Sequence, residues 1–306
     1  MAPSRPQVTA AVCAYNEAGS IGQLLETLLE RDAGSFDELI AVSSGSSDGT
    51  DEIIAGFAAR YPKLVAVREP ERRGKASAVN EALARASGEL VLLIDGDCLP
   101  AEGCLQALLA CFQDERVGGA GSRNVVVNGD AGVVARASAA MWEMHHKVCL
   151  SRPVLGGDII AFRRVVESIP AGAVNDDYVI EAALRSRGYR IAYAAEARVL
   201  MRAPETARDF LRQRRRIHAG FRAETRRGLV KATQDPRLAA RAAFDLVRRE
   251  PRRAAAVAAL LALELAARVS VVADALAGRS AYYSAWEPAP TTKGRLPEYD
   301  SRERAP

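Results

Sequence analysis

The sequence predicts an α/β protein: a mixed, mainly parallel sheet flanked by helices, with a helical C-terminal appendage. Three observations predict it. Short apolar runs alternate with helical segments from Val8 to Ile94, and strands separated by helices pair in parallel through right-handed crossovers. The polar residues Ser43, Ser44, Asp95 and Asp97 follow two of those runs, at the strand ends where an open α/β sheet binds its ligands. Farther on, Ala254 to Leu276 is a long stretch of Ala, Leu and Val outside this alternation.

The elements follow in order. Val8 to Cys13 is a strand, and Ser20 is placed to cap a helix through Leu29 whose Leu24, Leu25, Leu28 and Leu29 share a face. Glu38 to Val42 is a second strand, followed by a polar loop and a helix from Thr50 to Ala59. Leu64 to Arg68 and Leu90 to Ile94 are further strands, separated by a helix from Gly74 to Ala86. Helices are expected over 100–112, 131–149, 178–187 and 210–227, with strand character over 117–127, 155–162 and 189–194. This gives a catalytic domain over 1–228, a helical region over 229–286, and an irregular tail over 287–306 rich in Pro and charge.

The chain has 306 residues, 49% of them hydrophobic and 26% charged, enough for a large core. A net charge of +4 argues against a dedicated nucleic-acid binder. Five cysteines without Cys-x-x-Cys spacing read as small buried hydrophobes in a reducing compartment. The N-terminus lacks the layout of a signal peptide, so the catalytic part is expected in the cytoplasm. The segment 254–276 is long enough to span a bilayer but contains Glu264, Arg268 and Asp274. Charges at the centre of a span cost about 2.5–3.5 kcal/mol each on insertion scales. An interfacial or protein-packed helix is therefore expected, with Arg248, Arg249, Arg252 and Arg253 suited to an anionic membrane surface.

The chemistry is carried by strand ends. Asp95 and Asp97 follow the run Leu90–Ile94 one residue apart, and residues i and i+2 of a strand point to one side. Both carboxylates can meet one hard cation, Mg²⁺ or Mn²⁺, which also takes phosphate oxygens; Asp-Gly is also ordinary turn chemistry. Glu17, ending the first strand's exit, can accept from a ribose or a base, or can cap the next helix. Asp48 reads better as a cap than as a ligand contact. Lys75 at a helix start opposes the helix dipole unless an anion sits there, and a diphosphate suits it. Asp176 and Asp177 start another helix, where capping and general-base roles compete. Trp142 and His145 or His146 share a helix face, as a sugar platform or as core.

Together, Tyr15-Asn16-Glu17, Ser46-Ser47-Asp48-Gly49-Thr50, Gly74-Lys75, Asp95-Gly96-Asp97, Asn175-Asp176-Asp177 and Gln213-Arg214-Arg215-Arg216-Ile217, in that order, resemble a family 2 glycosyltransferase. The likeness covers Val8 to Phe221 and points to the Rossmann-like GT-A fold, of the type related to cellulose, chitin and hyaluronan synthases. It implies inverting transfer of a sugar from a nucleoside diphosphate sugar, with a UDP-sugar favoured, to an acceptor hydroxyl. It further implies that Asp95 and Asp97 bind the metal and that Asp177, beside Asp176, is the general base. Ala14, Tyr15, Glu17, Ser44, Gly74, Lys75, Asp95, Gly96, Gln213 and Arg216 would contact the donor, and Gly156-Gly157-Asp158 lies where related enzymes approach the acceptor, with a tight loop as its other reading.

Two departures matter. Ser43 and Ser44 stand where many members carry Asp, which loosens the uridine assignment. Ile217 replaces the Trp of the synthases' last motif, which argues against a processive polymerase. The expected activity is therefore non-processive transfer to a lipid or lipid-linked acceptor at the inner face of the membrane. A soluble transferase for small acceptors, a non-catalytic nucleotide-sugar-binding protein and a nucleotidyltransferase are the alternatives.

Overall fold

The computed structural model describes residues 5–226, 232–277 and 289–297. The expected boundary at 228/229 and the expected start of the tail at 287 lie outside those residues. The chain runs β1 (Val8–Ala14), α1 (Ile21–Glu26), β2 (Glu38–Ser44), α2 (Thr50–Ala58), β3 (Leu64–Glu69), α3 (Lys75–Arg85), β4 (Leu90–Asp95), β5 (Cys98–Pro100) and α4 (Cys104–Ala110). It continues through β6 (Val117–Val126), α5 (Val133–Ser151), β7 (Ile159–Arg163), α6 (Asp176–Ser186), β8 (Arg190–Met201), α7 (Ala207–Arg226), α8 (Pro236–Arg249) and α9 (Ala254–Leu276).

One eight-stranded sheet carries the order β3-β2-β1-β4-β7-β6-β8-β5. Strands β1 to β4 pair in parallel, as do β6 and β8, whereas β7 runs antiparallel to both β4 and β6. The central strands are buried on both faces, which is why they read as unbroken apolar runs. One core layer sets α1, α4 and the β1–β4 face together through Leu24, Leu28, Leu92 and Leu105. The other packs α3 and α6 on the opposite face through Val79, Leu83, Ile180 and Leu184.

The structure corrects several boundaries. Strand β2 extends through Ser43 and Ser44, which pair with Arg68 and Glu69 of β3 instead of opening a loop. The helix expected over 100–112 starts only at Cys104, because Cys98–Pro100 forms an edge strand on β8. Ser20 stands at the start of α1 without capping it; its hydroxyl donates instead to the Gly96 carbonyl at 3.0 Å. Asp48 does hold the start of α2, accepting from the Thr50 N–H at 3.1 Å and from the Ala18 N–H at 3.0 Å.

Helix α9 matches its predicted limits and turns two of its three charges inward, leaving Arg268 exposed. Its charges Glu264 and Asp274 face the body and pair with α7. Its outward side carries Leu261, Leu265, Val269, Val272 and Leu276, between 48% and 86% exposed. Among the described residues, Pro251–Leu276 is the one helix long and apolar enough to cross a membrane.

Candidate active site

At the carboxyl ends of β1, β2 and β4, a cavity of about 980 Å³ opens. The predicted site residues Ala14, Tyr15, Glu17, Ser44, Gly74, Lys75, Asp95, Gly96, Asp97, Asp176, Asp177, Gln213 and Arg216 all line it. The acid pair and residue 177 therefore share one space, as transfer between them requires.

Lys75 joins the two ends. Its Nζ lies 2.6 Å from Asp95 Oδ1 and 3.2 Å from Asp176 Oδ1. Burial disfavours its charge, but Asp176 and Asp95 outweigh that and hold the ammonium well above the ordinary lysine value. Burial pushes Asp95 up to about 6 against the pull of Lys75, with Asp176 and Asp97 adding to the rise. Glu17 is pushed to about 8 by burial and by Asp97. Glu17 lies against the Asp95–Asp97 turn, where a Cβ on Gly96 would be 3.1 Å from its Cγ.

The loop before β7 supplies a further acid. Ile94 pairs with Ile159, and the Asp95 N–H donates to the Asp158 carbonyl at 2.9 Å. Directly opposed residues of antiparallel strands project to the same side, so Asp158 joins the cluster. Burial, then Asp95 and Asp97, raise its carboxyl to about 8. The loop is pinned by β6: Asn124 Oδ1 accepts from the Asp158 N–H at 3.0 Å, and a Cβ on Gly121 would lie 2.6 Å from the Val154 carbonyl. Gly156, at the loop's other end, faces the start of α6, with Asp177 Oδ2 and His145 Nε2 each 3.6 Å from where its Cβ would be.

Helix α7 divides its arginines by direction. Gln213, Arg216 and Ile217, spaced i, i+3 and i+4, turn to the cavity. Burial lowers the Arg216 guanidinium to about 10, against the support of Asp176, Asp95 and Asp97. Arg214 also lines the cavity, at its α9 side, where it meets Glu264 at 2.5 Å; Arg215 pairs with Asp274, and His218 Nε2 meets Glu264 at 2.8 Å. Gly220 lets α7 approach the segment that leads into α6, since a Cβ there would lie 2.6 Å from Asn175 Nδ2.

At the outer end, Arg72 stacks 3.8 Å over the Tyr15 ring. The buried Ser44 hydroxyl has no hydrogen-bond partner among the described residues. Such an orphan at a ligand-binding strand end suits a polar ligand atom. Trp142 and His145 stand edge to face at 5.2 Å and line the cavity. His146 leaves that face and bonds the Tyr193 hydroxyl at 2.8 Å.

Lys293 was not anticipated as a site residue. It lies in the expected irregular tail, whose described residues 289–297 hold a 3₁₀ turn over Pro290–Thr292 and pack against the body. Gln23 and Leu296 exchange two hydrogen bonds of 2.8 and 2.9 Å, and Thr291 donates to Asp209 at 2.8 Å. Lys293 thereby pairs with Glu17 and stands 3.8 Å from Asp97 Oδ2. No local pattern announces it, because 276 positions separate it from Glu17.

Mg²⁺ or Mn²⁺ fits these residues. Hard carboxylate oxygens crowd the turn, and burial together with repulsion from neighbouring carboxylates raises Glu17, Asp95 and Asp158. Among the described residues, no three His, Cys, Asp or Glu side chains converge into a complete metal cage. That suits an ion held by one or two carboxylates and completed by substrate phosphates.

Comparison with known proteins agrees with this geometry. A family model described as "Glycosyl transferase family 2" matches residues 9–164, and one described as "Glycosyl transferase family group 2" matches residues 90–284. A dolichyl-phosphate beta-glucosyltransferase of Trichomonas vaginalis is 35% identical over 31% of this chain and 30% of its own length. A beta-monoglucosyldiacylglycerol synthase of Trichormus variabilis is 31% identical over 49% of this chain and 34% of its own. The chain thus spans about a third of the length of these two curated relatives. Among solved structures, the mannosyltransferase PcManGT from Pyrobaculum calidifontis, in complex with GDP-Man and Mn²⁺, superposes with a TM-score of 0.59 at 27% identity, covering 90% of this chain and 81% of that one.

Proposed function

The chain belongs to glycosyl transferase family 2, with the GT-A fold, and from that premise we propose that it is a metal-dependent, inverting, non-processive glycosyltransferase. The donor is a nucleoside diphosphate sugar. The acceptor is a hydroxyl of a lipid or lipid-linked molecule, reached at the cytoplasmic face of a membrane. The observation that carries this reading is Lys75 spanning Asp95 and Asp176, which sets a cation between the acid turn and the first turn of α6.

The donor's diphosphate lies by the Asp95–Asp97 turn, whose carboxylates would hold Mg²⁺ or Mn²⁺. When bound, that ion supplies positive charge to the diphosphate oxygens. Tyr15, Arg72 and Ser44 hold the nucleoside. Asp177 takes the proton from the acceptor hydroxyl as its oxygen bonds to the anomeric carbon from the face opposite the diphosphate. The bond from that carbon to the phosphate oxygen breaks, and Lys75 and Arg216 meet the charge left on the departing nucleoside diphosphate. Lipid acceptors are supported by the names of the relatives above and by the outward apolar side of α9.

The test is a thermal-shift panel of UDP, GDP and the other nucleoside diphosphates with Mn²⁺. One nucleotide should stabilise the protein, and only with the metal. Asp97→Asn should abolish that shift. Asp177→Asn should preserve it and lower turnover about 10²–10⁴-fold. The reverse pattern overturns the assignment of roles.

A further inference from the structure

We infer that α9 lies flat on a lipid bilayer, its apolar side in the head-group boundary, so that the cavity opens sideways into one leaflet. Three observations converge. The first is the helix's division of charge: Glu264 and Asp274 turn inward to Arg214, His218 and Arg215, while the exposed side is Ala, Leu and Val apart from Arg268, whose long stem lets its charge reach the head groups. Water gives no reason to hide charges and display leucines; a hydrocarbon boundary gives both.

The second observation decides between lying and spanning. Helix α9 touches the catalytic body along its whole length. Near its start, Val257 packs with Ala140 of α5 and Leu246 of α8. In its middle, Leu260 packs with Ala137 and Phe210. Near its end, Asp274 pairs with Arg215. A spanning helix would carry one end about 30 Å from the other across hydrocarbon, and α5 and α7 would have to follow it with their charges. The helix lies in the plane instead.

The third observation is the mouth of the cavity. Leu261 and Leu265 belong both to the exposed side of α9 and to the cavity lining, which Ala240 and Ala243 of α8 and Arg268 also share. An apolar chain can pass from the leaflet between these helices toward Asp177. Exposed Arg248, Arg249 and Arg252 at the α8–α9 corner complement anionic head groups. The docking stands on the helix alone; the sideways path for the acceptor rests on the transfer reading above.

The full chain is tested by flotation with vesicles of phosphatidylcholine alone or mixed with phosphatidylglycerol. Wild type should float, more with the anionic mixture, and salt should reduce the difference. Val269→Glu with Val272→Glu should remove flotation and leave the nucleotide–Mn²⁺ thermal shift unchanged. Arg248→Gln with Arg249→Gln should remove only the preference for anionic vesicles. Single cysteines at Ala254 and Ala277, on chain bound to sealed vesicles, should both react with an impermeant maleimide. Labelling at one end only establishes a span and overturns the proposal, as does wild type that fails to float. Flotation without any nucleotide shift supports the docking and sinks the transfer reading.

Discussion

Ser44 illustrates how much a single residue can decide. Its hydroxyl is buried at the end of β2 with no hydrogen-bond partner among the described residues, so the folded chain bears its desolvation without return. Ser44→Ala should therefore leave thermal stability within about 0.5 kcal/mol of wild type. If the hydroxyl serves the nucleoside, nucleotide affinity should fall roughly 3–10-fold, the value of one ordinary hydrogen bond. Calorimetric titration of nucleoside diphosphate with Mn²⁺ measures the affinity and thermal melting the stability. Unchanged affinity would remove Ser44 from the site. Asp158 teaches a different lesson: its Gly-Gly-Asp segment is ambiguous in sequence, and only pairing across β4 and β7 sets it beside Asp95.

Among the elements, α7 is shared between the cavity and α9. It presents Gln213 and Arg216 to the cavity and is clamped to α9 through Glu264, which meets Arg214 and His218. Burial works against the Glu264 charge, but His218 and Arg214 hold its carboxyl down at about 2, below the usual 4.5. A carboxyl depressed in the folded state adds stability above its unfolded value, and that contribution is lost as pH falls through the folded value. Wild type should thus lose stability between about pH 4.5 and 2 more steeply than Glu264→Gln. At neutral pH the same substitution should cost roughly 2–3 kcal/mol, toward the lower end for a partly buried pair. Chemical denaturation across that pH range checks both; parallel curves would deny the clamp its electrostatic role. The sequence showed four arginines around this helix but not their partners, because α9 lies far along the chain.

At the scale of the whole molecule, the chain closes on itself. The segment 289–297 returns to α1 and sets Lys293 against Glu17 and Asp97. Its ammonium occupies part of the field that a divalent ion would use. Lys293→Met should therefore bind Mn²⁺ several-fold more tightly in the absence of nucleotide, by relief of that repulsion. Mn²⁺ titration followed by electron paramagnetic resonance measures it; weaker binding would mean that Lys293 organises the acids instead of competing with the ion.

The sequence by itself determined the alternation of β1 to β4 with their helices, the limits of α9 and the cavity-lining residues of its ordered motifs. Those depend on periodicity and on residue types at strand ends, which are local. The tertiary structure decided what the charges face. It brought Lys75 between Asp95 and Asp176, divided the arginines of α7, turned Glu264 and Asp274 inward, and carried Lys293 across the sheet. Each of these rests on segments distant in the chain, whose meeting depends on how layers pack and which strand lies next to which. A pattern read along one dimension carries no record of that.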